Sequence, residues 1–94
     1  MAKQKHIHIV KRQGHFEVFD QKKIYASVYA SCLAGQFPKT KCEAMAEVVT
    51  NQIKKWVDNR EEISSEEIFK QVVKFLKKED KGIAFLYETH RDVS

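Results

Sequence analysis

The sequence has few of the residues that interrupt regular structure, and it has no long apolar run. Its 94 residues include one proline, Pro38, and three glycines, Gly14, Gly35 and Gly82. No segment approaches the roughly 20 apolar residues that a membrane-spanning helix needs. The first residues lack the apolar core of a secretory signal. We therefore expect a cytoplasmic protein with short loops and no membrane partner.

Cysteine and catalytic motifs are also scarce. The two cysteines, Cys32 and Cys42, do not form a Cys-x-x-Cys pair, and both fall in helical patterns, where a thiol usually acts as a small buried group. The sequence contains no Walker-type glycine-rich loop and no motif of an activated nucleophile. We therefore expect neither a metal centre nor enzyme activity.

The composition is that of one globular domain with a small positive charge. Hydrophobic residues make up 43% of the chain and charged residues 32%, which is typical of a folded protein. Seventeen lysine and arginine residues against 13 acidic ones give a formal charge of +4. This charge favours anionic partners, although solubility alone explains it equally well, because the cations do not form a block. We assign residues 1–94 to a single domain.

The first part of the chain has the pattern of a β-hairpin. Apolar and polar residues alternate along both halves of residues 5–19, with Gln13 and Gly14 between them. A glycine in this place suits a two-residue hairpin turn. In the resulting register, Lys11 is expected to lie opposite Phe16.

Four segments with helical spacing follow, at about residues 20–34, 40–58, 64–78 and 80–91. Asp20 is the expected N-cap of the first, and Gly35 is expected to end it as a C′ residue. Residues 40–43 and 64–67 have the pattern of capping boxes. Because an isolated hairpin is marginal in water, we expect it to pack on the helices. The predicted fold is α+β, an N-terminal β-hairpin lid on a small four-helix bundle.

A group of charged residues surrounds the hairpin and the start of the first helix. In chain order they are Lys11, Arg12, Glu17, Asp20 and Lys23. Guanidinium and ammonium groups suit phosphates, and a carboxylate suits the amino edge of a base. Together they indicate a nucleotide site. Taken singly, a solvated strand end, a cross-strand ion pair and a helix cap explain the same residues.

Several short motifs of the chain also occur together in one known family. They are Val10-Lys-Arg-Gln-Gly14, Glu17, Phe19-Asp20, Lys23-Ile24 and Ile63-Ser-Ser-Glu-Glu-Ile68. Over about residues 7–91 the chain resembles the ATP-cone domain. This module regulates many ribonucleotide reductases from their N-terminus and forms the C-terminal part of the repressor of their genes.

The resemblance implies reversible binding of ATP or dATP between lid and bundle, as allosteric regulation without catalysis. The nucleotide-binding residues that it implies are Val10, Lys11, Arg12, Glu17, Asp20, Lys23 and Ser65. Among them, Lys11 and Arg12 would contact the phosphates, and Glu17 and Asp20 would face the adenine edge. Magnesium is a candidate companion of the triphosphate. The resemblance further implies self-association through cone-to-cone contacts and a regulated enzyme or repressor, which the sequence does not identify.

Two positions depart from the family pattern. Phe69 stands where some members carry a polar residue that touches the nucleotide, and Tyr87 stands in a run that often contains an arginine. Two alternatives stay open beside the nucleotide sensor. The positive charge leaves open a basic module associated with nucleic acid, and Phe69 and Tyr87 leave open a structural or interaction domain whose nucleotide site has lapsed.

Overall fold

The computed structural model describes the backbone of residues 8–93 and the side chains of residues 8–90. The elements, in chain order, are β1 (Ile9–Arg12), β2 (His15–Val18), α1 (Gln21–Ala34), α2 (Lys39–Asp58), β3 (Glu62–Ser64), α3 (Ser65–Glu79) and α4 (Lys81–Val93). This is the predicted α+β fold, a small N-terminal sheet with four helices. The predicted start of the hairpin, at residues 5–7, lies outside the described residues.

β1 and β2 form the predicted hairpin around a two-residue turn. Gln13 and Gly14 have φ values of 29° and 88°, the left-handed conformation that a type I′ turn requires at both positions. Lys11 lies opposite Phe16, as predicted. Because side chains alternate along a strand, Val10 is buried on one face whereas Lys11 is exposed on the other.

A third strand, which the sequence does not predict, joins this sheet. β3 runs parallel to β1 and places Ile63 opposite Val10, giving the strand order β2-β1-β3. Both side chains are buried, with 1% and 4% of their surface exposed. Three residues are too few to show a strand period in the sequence. The pairing fixes the hairpin to the segment that enters α3.

The predicted caps of α1 and α3 are present. The side chain of Asp20 accepts a hydrogen bond from the backbone N–H of Lys22 at 3.0 Å. At α3, Ser64 Oγ accepts from the N–H of Glu67 at 3.0 Å, and the Glu67 carboxylate accepts from the N–H of Ser64 at 3.1 Å. Both helices that border the hairpin therefore start at defined residues.

The predicted capping box at residues 40–43 is wrong. α2 begins one residue earlier, at Lys39, with Pro38 in the N-cap position and no side-chain cap. Thr40 therefore lies inside the first turn, where its hydroxyl cannot cap the helix. The first helical hydrogen bond runs from the N–H of Cys42 to the carbonyl of Pro38, at 3.0 Å.

α1 ends in a turn whose left-handed residue is not the glycine. Gly35 has a φ of −84°, whereas Gln36 has a φ of 64°. The backbone N–H groups of Gln36 and Phe37 donate to carbonyls of the last turn of α1, at 2.8 and 3.3 Å. Gly35 instead allows a close approach of α4, because a Cβ atom there would have to displace Leu86 Cδ1.

One hydrophobic core joins the sheet to the four helices. Its largest fully enclosed apolar side chains are Ile53, Ile63, Leu76, Ile83, Val28, Val49, Val57 and Val72. The lid is therefore anchored in the same core as the bundle, through the inner faces of β1 and β3. Of the helices within the described residues, none is both long enough and apolar enough to cross a membrane.

Asp80 links α2 to α4. Its carboxylate accepts hydrogen bonds from Lys41 Nζ and from the backbone N–H of Ile83, both at 3.1 Å. The bond from Lys41, followed by the one from Ile83, lowers the pKa of the Asp80 carboxyl against the opposing effect of partial burial. This contact therefore stabilises the fold only while the carboxyl is ionised.

Replacing Gly35 by alanine is expected to destabilise the protein by about 1–3 kcal/mol, since the added methyl must displace Leu86. Urea denaturation measures the change. Gln36→Gly is the matched control, because it changes the same turn but relieves a left-handed conformation. We expect its free energy of unfolding to lie within about 1 kcal/mol of that of the wild type, or above it. Equal destabilisation by both variants would mean that the turn, and not the helix contact, requires Gly35.

The Asp80 contact predicts a dependence of stability on pH. A lowered pKa in the folded state gives stability that is complete well above the unfolded pKa of about 3.9 and is lost as the pH falls through the folded value. Asp80→Asn should cost about 0.5 kcal/mol at pH 7. At pH 3 the difference from the wild type should shrink. Urea denaturation at both pH values tests this, and an unchanged difference would contradict it.

Candidate functional site

A cleft of about 230 Å³ lies between the hairpin, the start of α1 and the start of α3. The predicted site residues that line it are Val10, Arg12, Glu17, Asp20, Lys23 and Ser65. They come from the inner face of the hairpin and from the first turns of two helices. The structure thus brings to one place six residues that the chain separates by up to 55 positions.

The carboxylate of Glu17 is the centre of the charged part of the cleft. Its Oε2 atom lies 3.1 Å from His15 Nε2 and 3.5 Å from Arg12 Nε, and its Oε1 atom lies 3.5 Å from Lys23 Nζ. The hydrogen bond with His15, and then the charges of Lys23 and Arg12, lower the pKa of Glu17 although partial burial raises it. Glu17 is therefore an anion at neutral pH, and two cations converge on it.

The positions of these cations follow from local structure. Arg12 is diagonal to Glu17 in the hairpin, because Val10 pairs with Glu17 and Arg12 with His15. Lys23 lies in the first turn of α1, where a positive charge opposes the helix dipole. The nearby Glu17 carboxylate offsets this unfavourable interaction.

Lys11 is the one predicted site residue that does not line the cleft. It is exposed, and it pairs with Phe16 on one side and with Ser64 of β3 on the other. Its side chain leaves the face of β1 opposite to that of Arg12, as the alternation of a regular strand requires. Its contact with phosphate stays a prediction, and it would require the end of β1 to twist.

Ser65 lines the cleft as the first residue of α3. The N–H groups of a helix's first turn lack intrahelical acceptors and carry the positive end of the helix dipole. One of them, that of Glu67, is taken by the Ser64 cap. The start of α3 therefore offers a hydroxyl and backbone donors at the edge of the cleft, a combination that suits an anion.

An aromatic wall formed by Phe69 and Tyr87 completes the cleft. Their rings are stacked, with centroids 5.5 Å apart and planes inclined by 22°. Neither residue is among the nucleotide-binding residues expected from the sequence, in which both are departures from the family pattern. Helical spacing could have found Phe69, because it follows Ser65 by four residues and so lies on the same face of α3. A flat apolar wall of this kind suits a purine ring.

The ATP cone domain is the family whose model matches, over residues 7–92. Searches of the curated proteins and of the solved structures returned no match to the chain. The family match covers nearly the whole chain and includes every residue that lines the cleft. The chain therefore belongs to the ATP cone domain family, whose members are nucleotide-binding regulatory modules.

Proposed function

We propose that this domain binds ATP or dATP reversibly in the cleft and acts as a regulatory sensor without catalysis. One observation carries the proposal: Arg12 and Lys23 converge with Glu17 in a single cleft whose other wall is aromatic. Membership of the ATP cone family supports a nucleotide as the ligand. A sensor needs only binding that differs between nucleotides or between states of the protein.

The proposed binding mode divides the cleft by chemistry. Arg12, Lys23 and the start of α3 would hold the phosphates, because they supply cationic and backbone donors. Glu17 and Asp20 would accept a hydrogen bond from the adenine amino group, a donor that guanine replaces with an acceptor oxygen.

Phosphate binding must compete with Glu17 for its two cations. A carboxylate has about four acceptor positions, so Glu17 can exchange one cation for an adenine amino group without losing all its partners. In the structure, its Oε2 atom serves both Arg12 and His15, while Oε1 serves Lys23. The ligand would therefore replace existing ion pairs, which limits the net gain in free energy and suits a reversible sensor.

Magnesium would enter with the triphosphate and be held chiefly by phosphate oxygens. The cleft carboxylates are engaged already: Glu17 is paired with cations, and one Asp20 oxygen caps α1. They could supply at most an outer contact to the ion. Magnesium prefers few protein carboxylates together with phosphate oxygens and water, which agrees with this donor set.

The regulatory output would be a change in the lid and its neighbouring helices. Within the described residues, the hairpin joins the rest of the sheet only through β1, so a ligand that bridges it to α1 and α3 would favour one lid position. The surface altered in this way would be read by a second copy of the chain through cone-to-cone contacts, or by a regulated enzyme or repressor.

Titration with nucleotides tests the proposal directly. ATP and dATP should shift the backbone amide resonances of β1, β2 and the first turns of α1 and α3, with saturation between micromolar and millimolar ligand, about −8 to −4 kcal/mol. GTP should give weaker shifts at equal concentration, because its base presents an oxygen to Glu17 and Asp20.

Absence of any shift at millimolar ATP would favour a lapsed site. Tighter binding of DNA or RNA, with a steep loss on adding salt, would favour a nucleic-acid module.

Substitutions at the end of β1 test which cation holds the phosphates. Arg12→Ala should raise the Kd for ATP about tenfold, because it removes a charge-assisted contact from the cleft. Isothermal titration calorimetry measures both Kd and stoichiometry, and circular dichroism confirms the fold.

Lys11→Ala is the matched control, since the neighbouring cation lies outside the cleft. If β1 keeps the regular alternation of the structure, its Kd for ATP should change by about threefold or less, the effect of a screened surface charge. If the end of β1 twists so that Lys11 reaches the phosphates, the loss should match that of Arg12→Ala. An equal or larger loss at Lys11→Ala would contradict the assignment of the phosphates to the cleft, and would instead support the contact that the family resemblance implies.

A further inference from the structure

A second cavity, of about 280 Å³, lies between α3 and α4 and shares Phe69 with the nucleotide cleft. We call it the lysine groove. The residues that line it are Phe69, Lys70, Val73, Lys74, Lys77 and Glu88. The proposed function uses none of these except Phe69, so the groove needs its own explanation.

The lysines of the groove form one row. Lys70, Lys74 and Lys77 are separated by four and three residues, which places them on one face of α3 over about 10 Å. All three are exposed. None of the salt bridges between described side chains includes them, whereas Lys41, Arg12 and Lys23 each have a carboxylate partner elsewhere.

The helix dipole does not account for the whole row. A cation in the last turn of a helix is favourable, which explains lysines at the end of α3. Lys70 lies in the second turn and gains nothing from the dipole. Like charges four residues apart, as at Lys70 and Lys74, destabilise a helix unless an anion lies between them.

The floor of the groove is apolar. Val73, which is 7% exposed, and the half-buried Phe69 lie on the side of α3 that faces α4. A row of cations beside an apolar strip matches a helix or turn that carries carboxylates on one edge and an apolar side chain next to them. Such a segment would neutralise the lysines and cover the strip at the same time.

We propose that the lysine groove docks an acidic amphipathic segment of a partner protein. A nucleic acid fits less well, because a phosphate backbone would leave the apolar strip uncovered. Charge complementarity to three lysines requires a negatively charged partner, and the apolar floor favours a protein segment as that partner. The proposal does not depend on nucleotide binding.

A labelled synthetic peptide provides the test. Its helix carries glutamates along one edge and leucines on the adjoining one, and a matched peptide replaces each glutamate by glutamine. Fluorescence anisotropy measures binding to the whole chain, and amide shifts locate it. We expect the glutamate peptide to bind at least about tenfold more tightly than the glutamine peptide, with shifts confined to α3 and α4.

Neutralising variants supply the control. Lys70→Gln/Lys74→Gln/Lys77→Gln should weaken binding of the glutamate peptide about tenfold or more. A second variant replaces by glutamine the same number of exposed lysines on α2, namely Lys39, Lys54 and Lys55. It loses the same charge, and its affinity should stay within about threefold.

Any of five outcomes would overturn the proposal. Equal losses in the two variants would show that net charge, and not the groove, attracts the peptide. Undetectable peptide binding, or shifts outside α3 and α4, would remove the docking site. A polythymidine oligonucleotide that binds the groove more tightly than the peptide, or self-association lost only in the groove variant, would assign the groove to another occupant.

Discussion

The parallel pairing of β1 with β3 is the constraint on which the site depends. It places Val10 opposite Ile63 in the common core, and so fixes the lid beside the entry to α3. Arg12 lies two residues beyond this pair at the end of β1, and Ser65 lies two residues beyond it at the start of α3. Without the pairing, the hairpin would lose its hydrogen bonds to the segment that enters α3, and the cleft would lose the wall that α3 supplies.

Glu17 balances the positive charges of the cleft before any ligand binds. The two cations of the cleft already have an anionic partner, so the lid is held in position instead of being forced open by repulsion. A bound phosphate would replace Glu17 as the partner of Arg12 and Lys23, and the number of ion pairs would change little. This arrangement favours modest affinity, because each new contact with phosphate replaces an existing ion pair.

Local sequence signals predicted much of the fold. The Gln13-Gly14 turn, the register of the hairpin, and the caps at Asp20 and Ser64 each depend on a few neighbouring residues, and each is present. The third strand was missed because a parallel partner 53 residues away leaves no local period. The close approach of Gly35 to Leu86 of α4 also joins residues that are distant in the sequence, so the sequence could not show it.

The candidate site was predictable where it depends on strand alternation and family motifs, and less so elsewhere. The convergence of Arg12, Glu17 and Lys23 follows from the hairpin and the first helical turn. Helical spacing places Phe69 on the face of α3 that carries Ser65, but its stacking on Tyr87 could not be inferred, because that contact depends on how two helices pack.

The strand order has a consequence for how such a domain could open. β1 is bonded on both sides, so it cannot leave the sheet without breaking two ladders, whereas β2 is held by one. Partial opening at β2 would therefore require less free energy than global unfolding. The half of the lid that carries Glu17 could peel away and return while the buried half stays in place, giving a ligand an entry route that leaves the core intact.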